Sequence, residues 1–95
     1  MRFTVVWSPE AEDELMQLWM AAPDRNRLTQ VVNAIERQLA RQPFTVGESR
    51  ADNRQRVAFE PPIGMLFTIW PDDQIVRVVH IGWLPRPLRD QDSDR

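Results

Sequence analysis

The sequence predicts an α+β fold in the order β-α-α-β-β-β, with a helical hairpin packed on a small antiparallel sheet. Three observations carry this. Ile63 to Trp83 holds two β-branched and aromatic runs around Pro71-Asp72-Asp73-Gln74, the pattern of a β-hairpin. Between Pro9 and Pro43 the apolar residues recur at helical spacing, with one break at Pro23-Asp24. Arg54 to Glu60 alternates with period two, as a half-buried strand does. With 95 residues, 42% hydrophobic and 27% charged, the chain is sized for one core.

Phe3 to Trp7 is the first strand. It stops at Ser8-Pro9-Glu10. Ser8 is a good N-cap, and Pro9 sits where its missing N–H costs nothing. Glu10, Glu12 and Asp13 fall in the first turn, where carboxylates favour the helix dipole. The first helix runs to about Ala22, with Ala11, Leu15, Leu18, Trp19 and Ala22 on one apolar face. Asp24 caps a second helix, whose core face is Leu28, Val31, Val32, Ile35 and Leu39. It ends before Pro43, because the residue preceding proline is pushed out of α geometry. So short a link makes the two helices antiparallel. Phe44 to Asn53 reads as a loop. In the next strand Arg54, Arg56, Ala58 and Glu60 form an outer face, with Gln55, Val57 and Phe59 inward. Pro61-Pro62 leads into the hairpin, whose two runs are apolar on both faces, as suits strands covered on two sides. Residues 1–84 form the single domain. Residues 85–95 are expected to be a flexible acidic tail with too few apolar side chains to order themselves. The three later strands form a meander, and the first strand must pair with one of them to satisfy its backbone.

Composition narrows the function. There is no cysteine, so disulfides and thiolate metal sites are excluded, which fits a reducing cytoplasm. No apolar run reaches the ~20 residues needed to cross a membrane. The formal charge is -2 and the pI near 5.3, not the basic excess of an autonomous nucleic-acid binder. All 12 basic side chains are arginine. Tyrosine is absent and histidine occurs once, so general acids and bases are scarce. Glu10, Glu12, Asp13 and Glu14 form an acidic cluster, but a helix N-terminus explains most of it, and one histidine adds little to a ligand set. No cofactor or metal is expected.

This layout resembles the RelE/ParE superfamily of bacterial type II toxins. The resemblance rests on the opening FTVVWSPEAEDEL, the helix VVNAIERQLARQP, the loop with Gly47 and the hairpin IGMLFTIWPDDQIVRVVHIGW, and covers residues 3–83. It implies a small cytoplasmic plasmid-stabilisation-like toxin, neutralised by a cognate antitoxin. ParE-like members inhibit DNA gyrase; RelE-like members are mRNA interferases that cleave mRNA on the ribosome. In RelE-like members arginine and lysine near the third and last strands carry the cleavage. Here Gly64 stands where the third strand would begin with arginine, and Gly82-Trp83-Leu84-Pro85 replaces the basic turn, with Arg86 displaced further on.

Were the chain a nuclease, His80 with Arg56 or Arg77 would be its catalytic set, the imidazole serving as acid or base in attack of a 2′-hydroxyl on phosphate. The bland reading of His80 is a strand histidine held beside the core. Strict alternation puts Arg77 and His80 on opposite faces, so only a bulge, expected near Gly82, would unite them. Arg50 and Arg54, with Arg56, suit phosphate or acidic antitoxin side chains, or simply a solvated face beside Glu60. Arg77 interrupts an apolar run and on an open face would sit within a docking patch. Trp70, Trp83 and Arg86 complete the candidate partner-binding set, with the tryptophans as interface anchors or rim packing; Trp19 is read as core. A non-toxic protein-binding module or homodimer on the same scaffold is the remaining alternative.

Overall fold

A computed structural model describes residues 2–49 and 54–84. The elements in chain order are β1 (Thr4–Trp7), α1 (Pro9–Ala21), α2 (Arg25–Arg41), a 3-10 turn (Pro43–Thr45), β2 (Glu48–Ser49), β3 (Gln55–Glu60), β4 (Ile63–Trp70) and β5 (Ile75–Trp83). The α+β class, the helical hairpin and the meander are all as expected. The 3-10 turn and the short β2 lie where the sequence reads as loop.

The strands form one sheet in the order β1-β5-β4-β3-β2. β2 to β5 pair antiparallel, and β1 joins β5 in parallel, so the sheet is mixed. Both predicted caps are present. The Ser8 hydroxyl accepts from Ala11 N–H at 3.0 Å, and the Asp24 carboxylate accepts from Arg27 N–H at 3.0 Å. Each satisfies one of the donors that a helix start leaves unpaired.

Both helices cover one sheet face. Ala11 and Leu18 of α1 and Leu28, Val32, Ile35 and Leu39 of α2 bury against alternate strand residues, among them Met65, Phe67, Ile69, Val76 and Val78. Among the described residues the other face carries no layer, where the sequence led to the expectation that β4 and β5 are covered on both sides. Trp19 is also corrected: it is 43% exposed, while Leu18 takes the core position.

Two departures move candidate residues. In β3 the faces are inverted. Arg56 pairs with Phe67 and Ala58 with Met65, so Arg56 and Ala58 lie on the helix side and Val57 and Phe59 on the open side. Pairing with β4 fixes the register, and a one-residue choice of phase moves a whole side-chain set. In β5 a bulge lies where Leu66 pairs with His80 but Phe67 with Val78, leaving Val79 as the extra residue.

Candidate functional site

The bulge at Val79 decides how the hairpin presents its polar side chains. Before it, Val76 and Val78 point to the core and Ile75 and Arg77 to the open face. After it, Ile81 points to the core and His80 to the open face. Arg77 and His80 therefore share a face, and the bulge sits nearer the strand centre than Gly82.

His80 is held from below. β1 spans 4 residues and pairs β5 only from Ile75 to Val78. Beyond that, α1 takes over the strand edge. Ser8 N–H donates to Val78 O at 2.9 Å and the Ser8 hydroxyl to Val79 O at 3.1 Å. The Glu14 carboxylate then accepts from Ile81 N–H at 3.0 Å and lies 3.0 Å from His80 Nδ1. One carboxylate thus satisfies a strand amide and orients the only imidazole, the arrangement a general base needs. It is also sufficient as a purely structural clasp between α1 and the bulge.

Arg56 lies apart from this pair. It is 8% exposed, and its guanidinium donates from Nε to Val46 O and from Nη2 to Gly47 O, both at 2.9 Å. Those carbonyls belong to the segment between the 3-10 turn and β2, so Arg56 ties this segment to β3. Gly47 adopts φ +68, and a Cβ there would stand 2.1 Å from Val57 O. Only glycine fits so close an approach in the left-handed region.

The end of the open face around Gly64 and Gly82 is apolar, while Gln55, Thr68 and Arg77 line up across its middle. Gly64 and Gly82 are cross-strand partners. They floor a shallow trough of about 310 Å³ walled by Phe59, Leu66, His80 and Leu84. The Phe59 ring lies 3.1 Å from where a Gly64 Cβ would be, so any side chain at this position would meet the ring. Trp70 is 46% exposed at the far end of the same face. Trp83 is 40% exposed but its register with Ile63 puts it on the helix side, near Pro23 and Pro62. The two tryptophans do not form one patch. Arg54 is exposed at the start of β3; Arg50 and Arg86, like residues 85–95 as a whole, lie outside the described residues.

A second apolar surface lies between the helices. Leu15, Met16, Trp19, Leu28 and Val32 line a groove of about 330 Å³. Met16 and Met20 are more than half exposed. Arg25 braces this wall: Nε donates to Trp19 O at 2.9 Å, Nη2 to Met20 O at 3.1 Å, and the guanidinium stacks 4.6 Å from the Trp19 ring centre. It caps the last carbonyls of α1 while fixing the indole. The signal for this groove is the run Leu15-Met16-Gln17-Leu18-Trp19-Met20, which holds more apolar side chains than one core face requires. Among the described residues no three metal-ligating side chains converge, and no helix is long and apolar enough to cross a membrane.

No protein-family model matches the chain, and no curated protein matches it in sequence. Solved structures do match. The chain is similar to one from the RelBE2 toxin–antitoxin complex of Mycobacterium tuberculosis, at TM-score 0.72 and 21% identity over 88% of this chain and 93% of that one. It is similar to one from the chromosomal ParDE system of P. aeruginosa, at TM-score 0.66 and 12% identity over 88% and 98%. The isolated E. coli RelE toxin matches at TM-score 0.71 and 10% identity over 97% and 95%. At such identities the likeness is one of fold. The fold is that of the RelE/ParE toxins, as the sequence resemblance implied.

Proposed function

We propose that the chain is the toxin of a type II toxin–antitoxin pair and acts by binding a protein target, DNA gyrase in the ParE-like case, rather than by cutting RNA. The observation that carries this is the open sheet face. Where a ribosome-directed nuclease needs clustered cations against phosphate, this face has Gly64, Gly82, Phe59 and Leu66. Arg56 is turned to the helix side and bonded to backbone carbonyls. An apolar trough and an apolar helical groove are suited to protein partners. The groove between α1 and α2 fits the apolar stripe of an antitoxin helix, with Trp19 as a rigid anchor. The likeness to chains from toxin–antitoxin complexes supports an antitoxin partner.

One observation favours a second reading, a ribosome-dependent mRNA endonuclease. The bulge brings Arg77 and His80 to one face, with Glu14 orienting the imidazole. Three assays separate the readings. Induction in a bacterium lacking the antitoxin is expected to arrest growth; normal growth with intact protein accumulating refutes the toxin role. Purified protein is expected to inhibit supercoiling by DNA gyrase and to leave ribosome-bound mRNA intact. Cleavage that disappears in His80→Ala would transfer the assignment to the nuclease.

A further inference from the structure

The methionines of the chain fall into two settings. Met65 is a core residue at 1% exposure, while Met16 and Met20 are 62% and 63% exposed. Met1 lies outside the described residues. Met16 and Met20 are four residues apart on α1, so their thioethers stand one turn apart on one helix face. Trp19 continues the same apolar strip, its ring held by the Arg25 guanidinium at 4.6 Å. Met16 and Trp19 wall the groove between α1 and α2, and Met20 O accepts from the same Arg25.

Methionine suits an adaptable apolar contact, because its side chain is unbranched and its sulfur polarizable. The same sulfur is a two-electron reductant. A peroxide gives one oxygen to a sulfur lone pair: the S–O bond forms, the O–O bond breaks, and the other oxygen leaves as water. The thioether is oxidised to a sulfoxide and the peroxide is reduced. With no cysteine in the chain, no thiolate reacts first. Hydrogen peroxide is small and uncharged, so Glu12 and Asp13 on the preceding turn do not repel it, and access to the sulfur sets the order of reaction. A sulfoxide is polar and accepts hydrogen bonds, so its burial under an apolar helix is unfavourable.

We propose that Met16 and Met20 form an oxidation site that controls the helical groove. As thioethers they accept an apolar partner helix; as sulfoxides they reject it. Methionine sulfoxide reductases carry the reverse step, in which two thiols are oxidised to a disulfide and the sulfoxide oxygen leaves as water. The inference rests on the groove being the seat of an antitoxin helix, and in that setting oxidation by a peroxide releases the toxin.

The test uses the full chain in two steps. Hydrogen peroxide is added to the folded protein and each methionine is followed by peptide mass spectrometry. Met16 and Met20 are expected to gain one oxygen each, about 10-fold or more faster than Met65, with circular dichroism unchanged. Binding is then read from the Trp19 indole N–H signal in NMR. The probe is an end-capped helical peptide with leucines at i, i+3, i+4 and i+7 among lysines and glutamates. Oxidised protein is expected to bind it about 10-fold more weakly than reduced protein, and reductase treatment to restore the affinity. Met16→Leu combined with Met20→Leu keeps an apolar wall without sulfur, and should bind alike before and after peroxide. Oxidation of Met65 as fast as Met16 and Met20 overturns the proposal, as does equal weakening in the leucine variant. Binding that oxidation leaves unchanged refutes the proposal alone. A reduced protein that fails to bind the peptide up to its solubility refutes the groove as a helix site and takes the proposal with it.

Discussion

Replacing Arg56 separates a structural arginine from a catalytic one. The side chain is 8% exposed and donates to Val46 O and Gly47 O, both at 2.9 Å. Removing it in Arg56→Ala leaves two carbonyls short of a charged donor and opens a hole under β3. Hydrogen bonds from a charged group are worth about 1.5–3 kcal/mol each, and the two share one side chain, so they do not add fully. We expect a loss of about 3–4 kcal/mol, large against the ~5–15 kcal/mol that holds a domain folded. For a chain of this size that lowers Tm by roughly 12–32 °C. Arg56→Lys should recover part of the loss, because one ammonium reaches the carbonyls without the planar fork. Urea unfolding followed by circular dichroism measures it, with the slope unchanged if only the native state is affected. A loss below about 1 kcal/mol in Arg56→Ala, with activity abolished, would refute the structural assignment and return Arg56 to the catalytic candidates.

Gly47→Ala should cost about 3 kcal/mol or more, since φ +68 and a contact of 2.1 Å to Val57 O force β2 away from β3; thermal unfolding reads it directly. Ser8→Ala removes both the α1 cap and the bond to Val79 O from a residue 3% exposed, an expected loss of about 2 kcal/mol by the same measurement. Gln74 is a non-glycine at φ 56 in the β4–β5 turn, so Gln74→Gly should be neutral to stabilising by up to about 1 kcal/mol, and a clear drop in Tm would show that the glutamine side chain is needed there.

The parts of the fold legible in the sequence are those fixed by local chemistry. Ser8-Pro9 and Asp24 cap helices because their side chains answer donors within a turn of themselves. The stripe Leu28, Val32, Ile35, Leu39 is buried as spaced, since α2 is polar elsewhere and leaves one choice of face. α1 is different. Leu15 through Met20 is almost continuously apolar, so helical spacing fits more than one phase, and Trp19 falls outside the core. β3 inverts for a related reason. Val57 and Phe59 outrank Arg56 and Ala58 in hydrophobicity, but the pairing of Arg56 with Phe67 and of Ala58 with Met65 sets its phase, and that is a long-range fact.

The bulge shows why the site was harder to read than the fold. Ile75 to Ile81 is β-branched at most positions of both parities, so no alternation marks where the phase slips. One inserted residue, Val79, reverses the relation of Arg77 to His80. Glu14 supplies the missing signal. It stands one residue beyond those that the helix dipole accounts for, and its carboxylate is spent on Ile81 N–H and His80 at the start of the stretch that β1 no longer covers. The shortness of β1 therefore recruits α1 to finish the edge of β5, which fixes His80 on the open face.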